Sequence, residues 1–406
     1  MAVAGIIAEY NPFHTGHGHQ IEAVRARLGR DTAVVAVMSG NWVQQARCAL
    51  SDKWTRAALA LEGGADLVVE LPTVWAVSSA ESFARGGISL LQATGVVDTL
   101  SFGSECGRVE PLTELAKCLD SPDYVQALSS LPQDGQPFPV RRQRAVEALL
   151  GPERSALLAQ PNNNLGVEYI RALSALKSSI QPTTVLRQGA GHHADSPLTI
   201  QDRPPFVSAT QLRCALGEGN WAAASPYLTR GGRKALEGNM ASGLPERAVL
   251  ARLRTMTAQD WAALPDSAPS EGLPRRLEEA GRRCTSLEEF YLLAKTRRYP
   301  HARLRRLVLW AFLGLTHRDI PPAPPYLRVL GLGPRGRELL RDMKHRASLP
   351  LITKPVHAQA LPPQGAALFR LEARCTDLYG LCLPQVPPGG LEWRASPVVR
   401  TESPSL

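Results

Sequence analysis

Hydrophobic positions in the first hundred residues alternate between short continuous apolar runs and segments with helical spacing. The apolar runs predict buried strands at residues 3–8, 32–38, 66–71 and 96–102. Between them, apolar side chains recur at helical spacing in residues 51–61 and 79–91. Strands that are apolar throughout are covered on both faces, so the pattern predicts an α/β fold with a parallel sheet.

The pattern changes along the chain and divides it into four parts. Alternating strands and helices continue to about residue 220 and predict one α/β domain over 1–220. Residues 221–320 are helical in pattern and basic, and a proline-rich hinge then leads to a small α/β C-terminal module at 326–383. The last part, 384–406, is rich in Pro, Gly and Ser and is expected to be poorly ordered.

Composition narrows the class of protein. The chain has 406 residues, and 46 Lys and Arg against 37 Asp and Glu give a net charge of +9, which suits a polyanionic partner such as nucleic acid. Seven dispersed cysteines form no C-x-x-C pair, which predicts reduced thiols in a cytoplasmic protein and no zinc or other metal site. No signal peptide or apolar run of membrane-spanning length is expected.

The loop after the first predicted strand carries the motif His-x-Gly-His, with His14, Gly16 and His17 just before a helix that begins near Gln20. Ligands of open α/β sheets bind at strand ends, and helix N-termini favour phosphate. The two imidazoles would donate to phosphate oxygens as charge develops during nucleotidyl transfer. The motif is typical of the HIGH superfamily and predicts a nucleotidyltransferase-like domain, although a histidine-rich loop with a helix cap explains four residues equally well.

Other candidate binding residues follow later strands. Gly103 would let a purine or ribose approach the backbone closely, and Arg187 would hold phosphate. Ser208, Thr210 and Arg213 begin another predicted helix and form a second candidate phosphate grip. In isolation, a turn glycine, a surface ion pair and a plain N-cap explain these residues as well, so the argument depends on their convergence at one sheet edge.

A basic segment at 295–306 has six cations and no acid. The basic helix end and its tyrosine would grip RNA phosphates and stack on an unpaired base. A solvated basic face on a core helix is the alternative. The candidate RNA-binding residues are Lys295, Arg297, Arg298, Tyr299, Arg303 and Arg306.

The chain resembles the bacterial tRNA(Met) cytidine acetate ligase family. The most specific matches are Glu-Tyr-Asn-Pro-Phe-His at 9–14 and Met-Ser-Gly-Asn-Trp-Val-Gln at 38–44. Further matches lie at 64–72, 102–105, 161–163, 165–169, 208–213 and 294–299. The likeness extends to about residue 383 and is densest in the first 105 residues.

The resemblance implies a two-step reaction. ATP and acetate would form acetyl-adenylate and pyrophosphate, and the acetyl group would pass to N4 of the wobble cytidine (C34) of elongator tRNA(Met), giving N4-acetylcytidine. Carried over, His14 and His17 would be catalytic, and Mg²⁺ would be expected with ATP. The implied ATP-binding residues are Ile7, Ala8, Glu9, Tyr10, Asn11, Pro12, Phe13, His14, Thr15, Gly16, His17, Gly18, His19, Gln20, Gly103, Asn162 or Asn163, and Arg187.

The sequence departs from the family pattern at one turn. Residues Gln45-Ala-Arg-Cys48 stand where the family has an Arg-Gly-Glu-Pro-like turn, which would change the handling of acetate or ATP. Two other functions stay open from the residues. One is a cofactor-type adenylyltransferase with a small-molecule acceptor, and the other is an RNA-binding protein that holds ATP without turnover. The basic region 221–320 favours an RNA acceptor over a small molecule.

Overall fold

The structure, a computed structural model, describes residues 2–132, 136–187 and 206–401. Its strands are β1 (Val3–Ala8), β2 (Ala33–Ser39), β3 (Trp42–Val43), β4 (Arg47–Cys48), β5 (Leu67–Leu71), β6 (Thr99–Ser104), β7 (Gln181–Leu186), β8 (Leu327–Leu332), β9 (Leu351–Ile352) and β10 (Val398–Val399). Eight of them form one sheet in the order β10-β8-β5-β2-β1-β6-β7, with β9 beside β8, and β3 and β4 form a separate hairpin.

Helices cover this sheet and continue beyond it. They are α1 (Thr15–Leu28), α2 (Lys53–Glu62), α3 (Thr73–Ala76), α4 (Ala80–Ala93), α5 (Val109–Leu119), α6 (Pro122–Ser130), α7 (Phe138–Ala156), α8 (Pro161–Ala175), α9 (Ala209–Gly217), α10 (Trp221–Ala224), α11 (Gly232–Leu236), α12 (Glu246–Thr255), α13 (Ala258–Ala262), α14 (Leu273–Arg283), α15 (Leu287–Ala294), α16 (His301–Leu313), α17 (Pro334–Arg346) and α18 (Pro363–Gly380). Within the described ranges, no helix is both long and apolar enough to cross a membrane.

The predicted α/β fold with a mostly parallel sheet is confirmed. Strands β5, β2, β1, β6 and β7 run parallel, and only β8 joins β5 in the antiparallel direction. Strands β2 and β5 are buried along their whole length, as their unbroken apolar runs require. Because the five parallel strands share a direction, their carboxyl ends meet at one edge, where the candidate site residues follow.

The C-terminal part of the chain is built into the same sheet. Strand β8 pairs with β5, and β10 pairs in parallel with β8. The structure therefore differs from the expectation of a poorly ordered tail after residue 384. Glu392 is fully buried there, and its carboxylate lies 2.6 Å from the buried ammonium group of Lys53, which compensates its charge. Residues 402–406, which belong to that expectation, lie outside the described residues.

Candidate active site

The loop between β1 and α1 is fixed by aromatic side chains. Tyr10 and Phe13 are buried, and their rings meet edge to face with centroids 4.9 Å apart. Tyr10 also meets the imidazole of His17 edge to face at 4.9 Å. Pro12 follows a cis peptide bond. The apolar residues of the Glu-Tyr-Asn-Pro-Phe-His string thus anchor the loop and set the position of the second histidine.

The two histidines of the motif form a reciprocal cap on α1. His14 Nδ1 accepts from the backbone N–H of Gly16 at 3.1 Å, and His17 Nδ1 accepts from the backbone N–H of His14 at 3.2 Å. The rings lie against each other with centroids 3.9 Å apart. A side chain at Gly16 would meet the His14 ring at 2.9 Å, so the glycine allows the imidazole to close over the helix start.

These hydrogen bonds define what the histidines offer to a ligand. A ring nitrogen that accepts an N–H carries no proton, so in the neutral form the proton of each ring is on Nε2. Burial lowers the pKa of His14 to about 4, with a smaller effect from Arg187 and Arg213. The pKa of His17 also lies well below its ordinary value, through burial, His14 and Arg187. Both rings are therefore neutral Nε2–H donors at neutral pH.

We expect the histidine protonation to appear in NMR titrations of the free protein. Long-range ¹H–¹⁵N spectra should show His14 as a neutral Nε2–H tautomer down to about pH 5, and His17 as the same tautomer well below its ordinary pKa. The pKa of His14 is about 4 in the folded protein against 6.5 as its ordinary value. Its contribution to stability is thus fully present above pH 6.5 and is lost as the pH falls toward 4, by up to about 3 kcal/mol. A titration midpoint near 6.5 for both rings would contradict the arrangement.

A cavity of about 580 Å³ opens at the carboxyl ends of β1, β6 and β7. Of the predicted site residues, those that line it are Ile7, Ala8, Glu9, Tyr10, Asn11, His14, His17, Gln20, Gly103, Asn162, Arg187, Ser208, Thr210 and Arg213. Those that do not line it are Pro12, Phe13, Thr15, Gly16, Gly18, His19 and Asn163. The fold thus gathers strand-end residues that are up to about two hundred positions apart in sequence around one space.

Two guanidinium groups enter this cavity beside the histidines. Arg187 continues the β6–β7 ladder, because its backbone N–H donates to Ser104 O at 2.9 Å. Its side chain lies over Gly103, where an added Cβ would meet Arg187 Cγ at 3.1 Å. Arg213 donates to Asn11 O at 2.8 Å and to Thr210 Oγ1 at 2.9 Å. The two arginines therefore reach the cavity from different elements, the end of β7 and helix α9, and both suit phosphate.

Ser208 is the N-cap of α9, which is one of the two roles that its position at a helix start suggested. Its hydroxyl accepts from the backbone N–H of Gln211 at 3.1 Å and so caps α9. The residue also lines the cavity, next to Thr210. Because the Ser208 oxygen is engaged in the cap, the start of α9 offers a ligand chiefly its remaining backbone N–H groups.

The asparagines at the start of α8 differ in their surroundings. Asn162 lines the cavity, and its Nδ2 donates to Glu105 at 2.6 Å. Asn163 has no exposed surface, and its Oδ1 accepts from the backbone N–H of Cys106 at 3.1 Å. Asn164 also lines the cavity, while its Oδ1 accepts from Arg142. The structure thus places Asn162 where it can meet a ligand, and Asn163 in the protein interior.

We expect alanine substitutions to separate these two asparagines. Asn162→Ala should weaken nucleotide binding and leave the melting temperature nearly unchanged. Asn163→Ala removes the partner of the part-buried Cys106 N–H, which costs about 1–3 kcal/mol of unfolding free energy. Isothermal titration with a non-hydrolysable ATP analogue and urea unfolding check the two effects. A loss of nucleotide affinity in Asn163→Ala at full stability would reverse the assignment.

Two charged residues that sequence reasoning missed hold the site together. Arg56, on the buried face of α2, donates to the backbone oxygens of Glu9 at 2.6 Å, Ser51 at 3.0 Å and Ser39 at 3.0 Å, and also to Gly40. Glu105 accepts from the backbone N–H groups that begin α8. The only sequence signal for Arg56 was a charge among apolar helical positions, and its partners could not be read from spacing.

The basic segment before α16 is only partly available to a ligand. Tyr299 is 5% exposed, and its hydroxyl donates to Glu271 O at 3.0 Å, so its ring is not placed to stack on a base. Arg303 donates to Asp266 O, and Arg306 pairs with the Asp266 carboxylate at 2.9 Å. The exposed cations of the segment are Lys295, Arg297 and Arg298. The expectation of a stacking tyrosine fails because its ring fills the space beneath this loop.

The turn that departs from the family pattern is the β3–β4 hairpin. Ala46 adopts φ 57° at its tip, and Gln45 and Arg47 are exposed on either side. Gln45 lines the cavity, and the Gln44 backbone N–H donates to Glu9 Oε1 at 2.8 Å. A basic side chain is thus present at the turn, on Arg47, two positions beyond Gln45.

Comparison with known proteins now gives the family. A family model described as HIGH nucleotidyl transferase matches residues 1–389. A tRNA(Met) cytidine acetate ligase from Syntrophomonas wolfei is 33% identical, over 99% of this chain and 100% of its own length. One from Caldanaerobacter subterraneus is 34% identical, over 94% of this chain and 95% of its own. The chain belongs to the tRNA(Met) cytidine acetate ligase family. The resemblance seen in the sequence is confirmed, and the protein is an enzyme.

Solved structures of the family agree with this fold. The apo crystal structure of Thermotoga maritima TmcAL superposes with a TM-score of 0.90 at 30% identity, covering 99% of this chain and all of the other. A second crystal form of the Thermotoga protein, bound with alpha-thio ATP, gives a TM-score of 0.87 at 29% identity over the same shares. The family and its nucleotidyltransferase-like fold therefore extend over nearly the whole chain.

Proposed function

We propose that this enzyme joins acetate to ATP as acetyl-adenylate and transfers the acetyl group to N4 of the wobble cytidine (C34) of elongator tRNA(Met). The observation that carries the proposal is the pair of neutral Nε2–H imidazoles, His14 and His17, beside Arg187 and Arg213 in one cavity. The names of the family relatives and the alpha-thio ATP bound by the Thermotoga protein support the tRNA(Met) acceptor and the nucleotide.

The first step is nucleotidyl transfer. An acetate oxygen attacks the α-phosphorus of ATP, the bond to the β-phosphate oxygen breaks, and pyrophosphate leaves. Negative charge builds up on the phosphate oxygens, where the Nε2–H groups of His14 and His17 and the guanidinium groups of Arg187 and Arg213 donate hydrogen bonds. A neutral imidazole suits this role because its Nε2–H can donate to a phosphate oxygen while its Nδ1 accepts a backbone N–H in the helix cap.

The second step is acyl transfer to RNA. The exocyclic amine attacks the acetyl carbon, a C–N bond forms, and the bond from that carbon to the phosphate oxygen of AMP breaks. Because the adenylate already provides a good leaving group, no covalent enzyme intermediate is required. The exposed cations Lys295, Arg297 and Arg298 and the net charge of +9 suit contact with RNA phosphates.

Mg²⁺ would enter with ATP rather than occupy a protein cage. In the described ranges, no three or more His, Cys, Asp or Glu side chains are grouped so that they could hold a metal ion. Phosphate oxygens and water would therefore supply most of its ligands, which is the usual arrangement for this ion. Its chemistry would be to neutralise the departing pyrophosphate.

The proposal is tested by product analysis. The purified protein is incubated with ATP, Mg²⁺, acetate and elongator tRNA(Met), and the RNA is digested and examined by mass spectrometry. We expect N4-acetylcytidine from the wobble position, and none from a control tRNA in which C34 is replaced by uridine. ATP–pyrophosphate exchange with another acid or nucleotide, without acetylcytidine, would instead indicate a cofactor-type adenylyltransferase.

A further inference from the structure

A second cavity of about 650 Å³ lies beside the nucleotide cavity. The two share five lining residues, namely Glu9, Asn11, Gln45, Thr210 and Arg213. The second cavity continues toward the helical region, where Tyr291 of α15 and Arg305 of α16 form its far wall. It therefore extends from α15 and α16 to the end of β1.

The second cavity has an apolar floor and an aromatic wall. Its larger apolar lining residues are Val43, Leu50, Leu244 and Leu287. The ring of Tyr291 is held by edge-to-face contacts with Phe290 at 5.8 Å and His301 at 6.4 Å. Such a fixed ring beside an apolar surface suits the stacking of a flat base, which is how proteins hold unpaired nucleotides.

The charges at this cavity are mainly positive. Arg47 is exposed on the hairpin and Arg305 is half-buried on α16, and within the described part of the chain neither has an ion-pair partner. Both act on the Tyr291 hydroxyl, whose pKa burial raises to about 12. Of the two acids in the wall, Glu246 accepts from the Leu287 backbone N–H at 2.8 Å. That leaves Glu9 as the acid at the junction of the two cavities.

We infer that the second cavity holds the nucleotide that accepts the acetyl group, with its base against Tyr291, its flanking phosphates at Arg47 and Arg305, and its exocyclic amine at Glu9. This inference rests on the proposed function and adds where the RNA enters and which groups receive it. A volume of about 300–1,000 Å³ is typical of small-ligand sites and admits one nucleotide.

Glu9 gives the transfer step a destination for its proton. The amine of cytosine is a weak nucleophile and must lose one proton as the C–N bond forms and AMP departs. Glu9 lines both cavities, so its carboxylate would lie between an acetyl-adenylate in one and the amine in the other. Its Oε1 accepts from the Gln44 backbone N–H, and the guanidinium groups of Arg213 and Arg56 face it. Burial raises the pKa of this carboxyl, which makes it a stronger base.

The test measures the two half-reactions separately. Acetate-dependent ATP–pyrophosphate exchange reports adenylation, and single-turnover acetylation of the anticodon stem-loop of elongator tRNA(Met) reports transfer. We expect Tyr291→Ala and Arg305→Glu to raise the KM for the stem-loop and lower transfer relative to exchange by about tenfold or more. Arg337→Glu, an equal change of charge on exposed α17, is the matched control and should leave both measurements at the wild-type level.

Glu9→Gln tests the proton acceptor. Glutamine keeps an oxygen for the Gln44 N–H, so the loop retains its hydrogen bond. We expect the single-turnover transfer rate to fall about a hundredfold while the KM for the stem-loop stays within about twofold. A Glu9→Gln enzyme with an altered KM and a normal transfer rate would remove Glu9 from the chemistry.

A cross-link gives a readout that does not depend on activity. A stem-loop with a photoreactive base at position 34 should attach to residues of α15 or the β3–β4 hairpin. Wild-type transfer rates in both cavity variants, or a cross-link elsewhere, would overturn the inference while acetylation by the wild-type enzyme upheld the proposed function. Failure of the wild-type enzyme to acetylate RNA at all would overturn the proposed function, and this inference with it.

Discussion

Replacing His14 and His17 together with alanine is expected to lower acetate-dependent ATP–pyrophosphate exchange by about a thousandfold or more. Each ring presents an Nε2–H donor to the phosphates, and the loss of one such preorganised donor commonly costs about 10²–10³ in rate. RNA binding, measured by filter retention, should stay within about twofold because the acceptor is held elsewhere. That combination separates an adenylating enzyme from an RNA-binding protein that merely holds ATP.

The stability of α1 provides the control for this prediction. His14 also caps the helix, and alanine at an N-cap costs about 0.5–2 kcal/mol. His14→Asn keeps an oxygen acceptor for the Gly16 N–H but lacks an imidazole, so it should fold normally and still exchange poorly. His345→Ala, at an exposed position of α17, should behave as wild type. Near-normal ATP–pyrophosphate exchange in the double variant would contradict the role assigned to the histidines.

Lys53→Met is expected to lower the free energy of unfolding by about 3–5 kcal/mol. Lys53 has no exposed surface, and its ammonium group lies 2.6 Å from both Glu70 Oε1 and Glu392 Oε2. Without the lysine, the two buried carboxylates would keep one ion pair among the described residues, from Arg328 to Glu392 at 3.6 Å, and the hydrogen bond that Thr376 donates to Glu392. Urea unfolding followed by far-ultraviolet circular dichroism measures the loss.

A second substitution distinguishes charge from packing in that result. Lys53→Met combined with Glu392→Gln removes one charge of each sign and should recover part of the lost stability, as coupled neighbours do. Lys344→Met, at an exposed position of α17, should change stability by less than about 0.5 kcal/mol. If the double variant were less stable than Lys53→Met alone, the destabilisation would come from lost packing rather than unpaired charge.

Short sequence patterns predicted the part of the site whose contacts join residues close together in the chain. The His-x-Gly-His motif defined the histidine pair because its hydrogen bonds join residues two and three positions apart. The convergence of Gly103 and Arg187 with the histidines followed from the rule that parallel strands share a carboxyl edge. The same rule and the apolar runs gave the parallel sheet.

The contacts that sequence reasoning missed join distant parts of the chain. Glu105 meets residues 57 and 58 positions away, and Lys53 meets Glu392 from the far end of the molecule. No spacing rule indicates such pairs. Tyr299 is the opposite case, a contact with RNA that was predicted and that the fold does not allow. An aromatic residue among arginines is consistent both with stacking on RNA and with filling a core, and Tyr299 is buried in the core.

The antiparallel strand β8 and the short β10 close the sheet beside β5, and Glu392 completes the charge balance around Lys53. The catalytic half of the molecule is therefore unfinished while the ribosome is still making residues 327–399. A chain that ended before residue 392 would still contain His14, His17, Arg187 and Arg213. It would, however, leave the buried Lys53 without one of its two carboxylate partners.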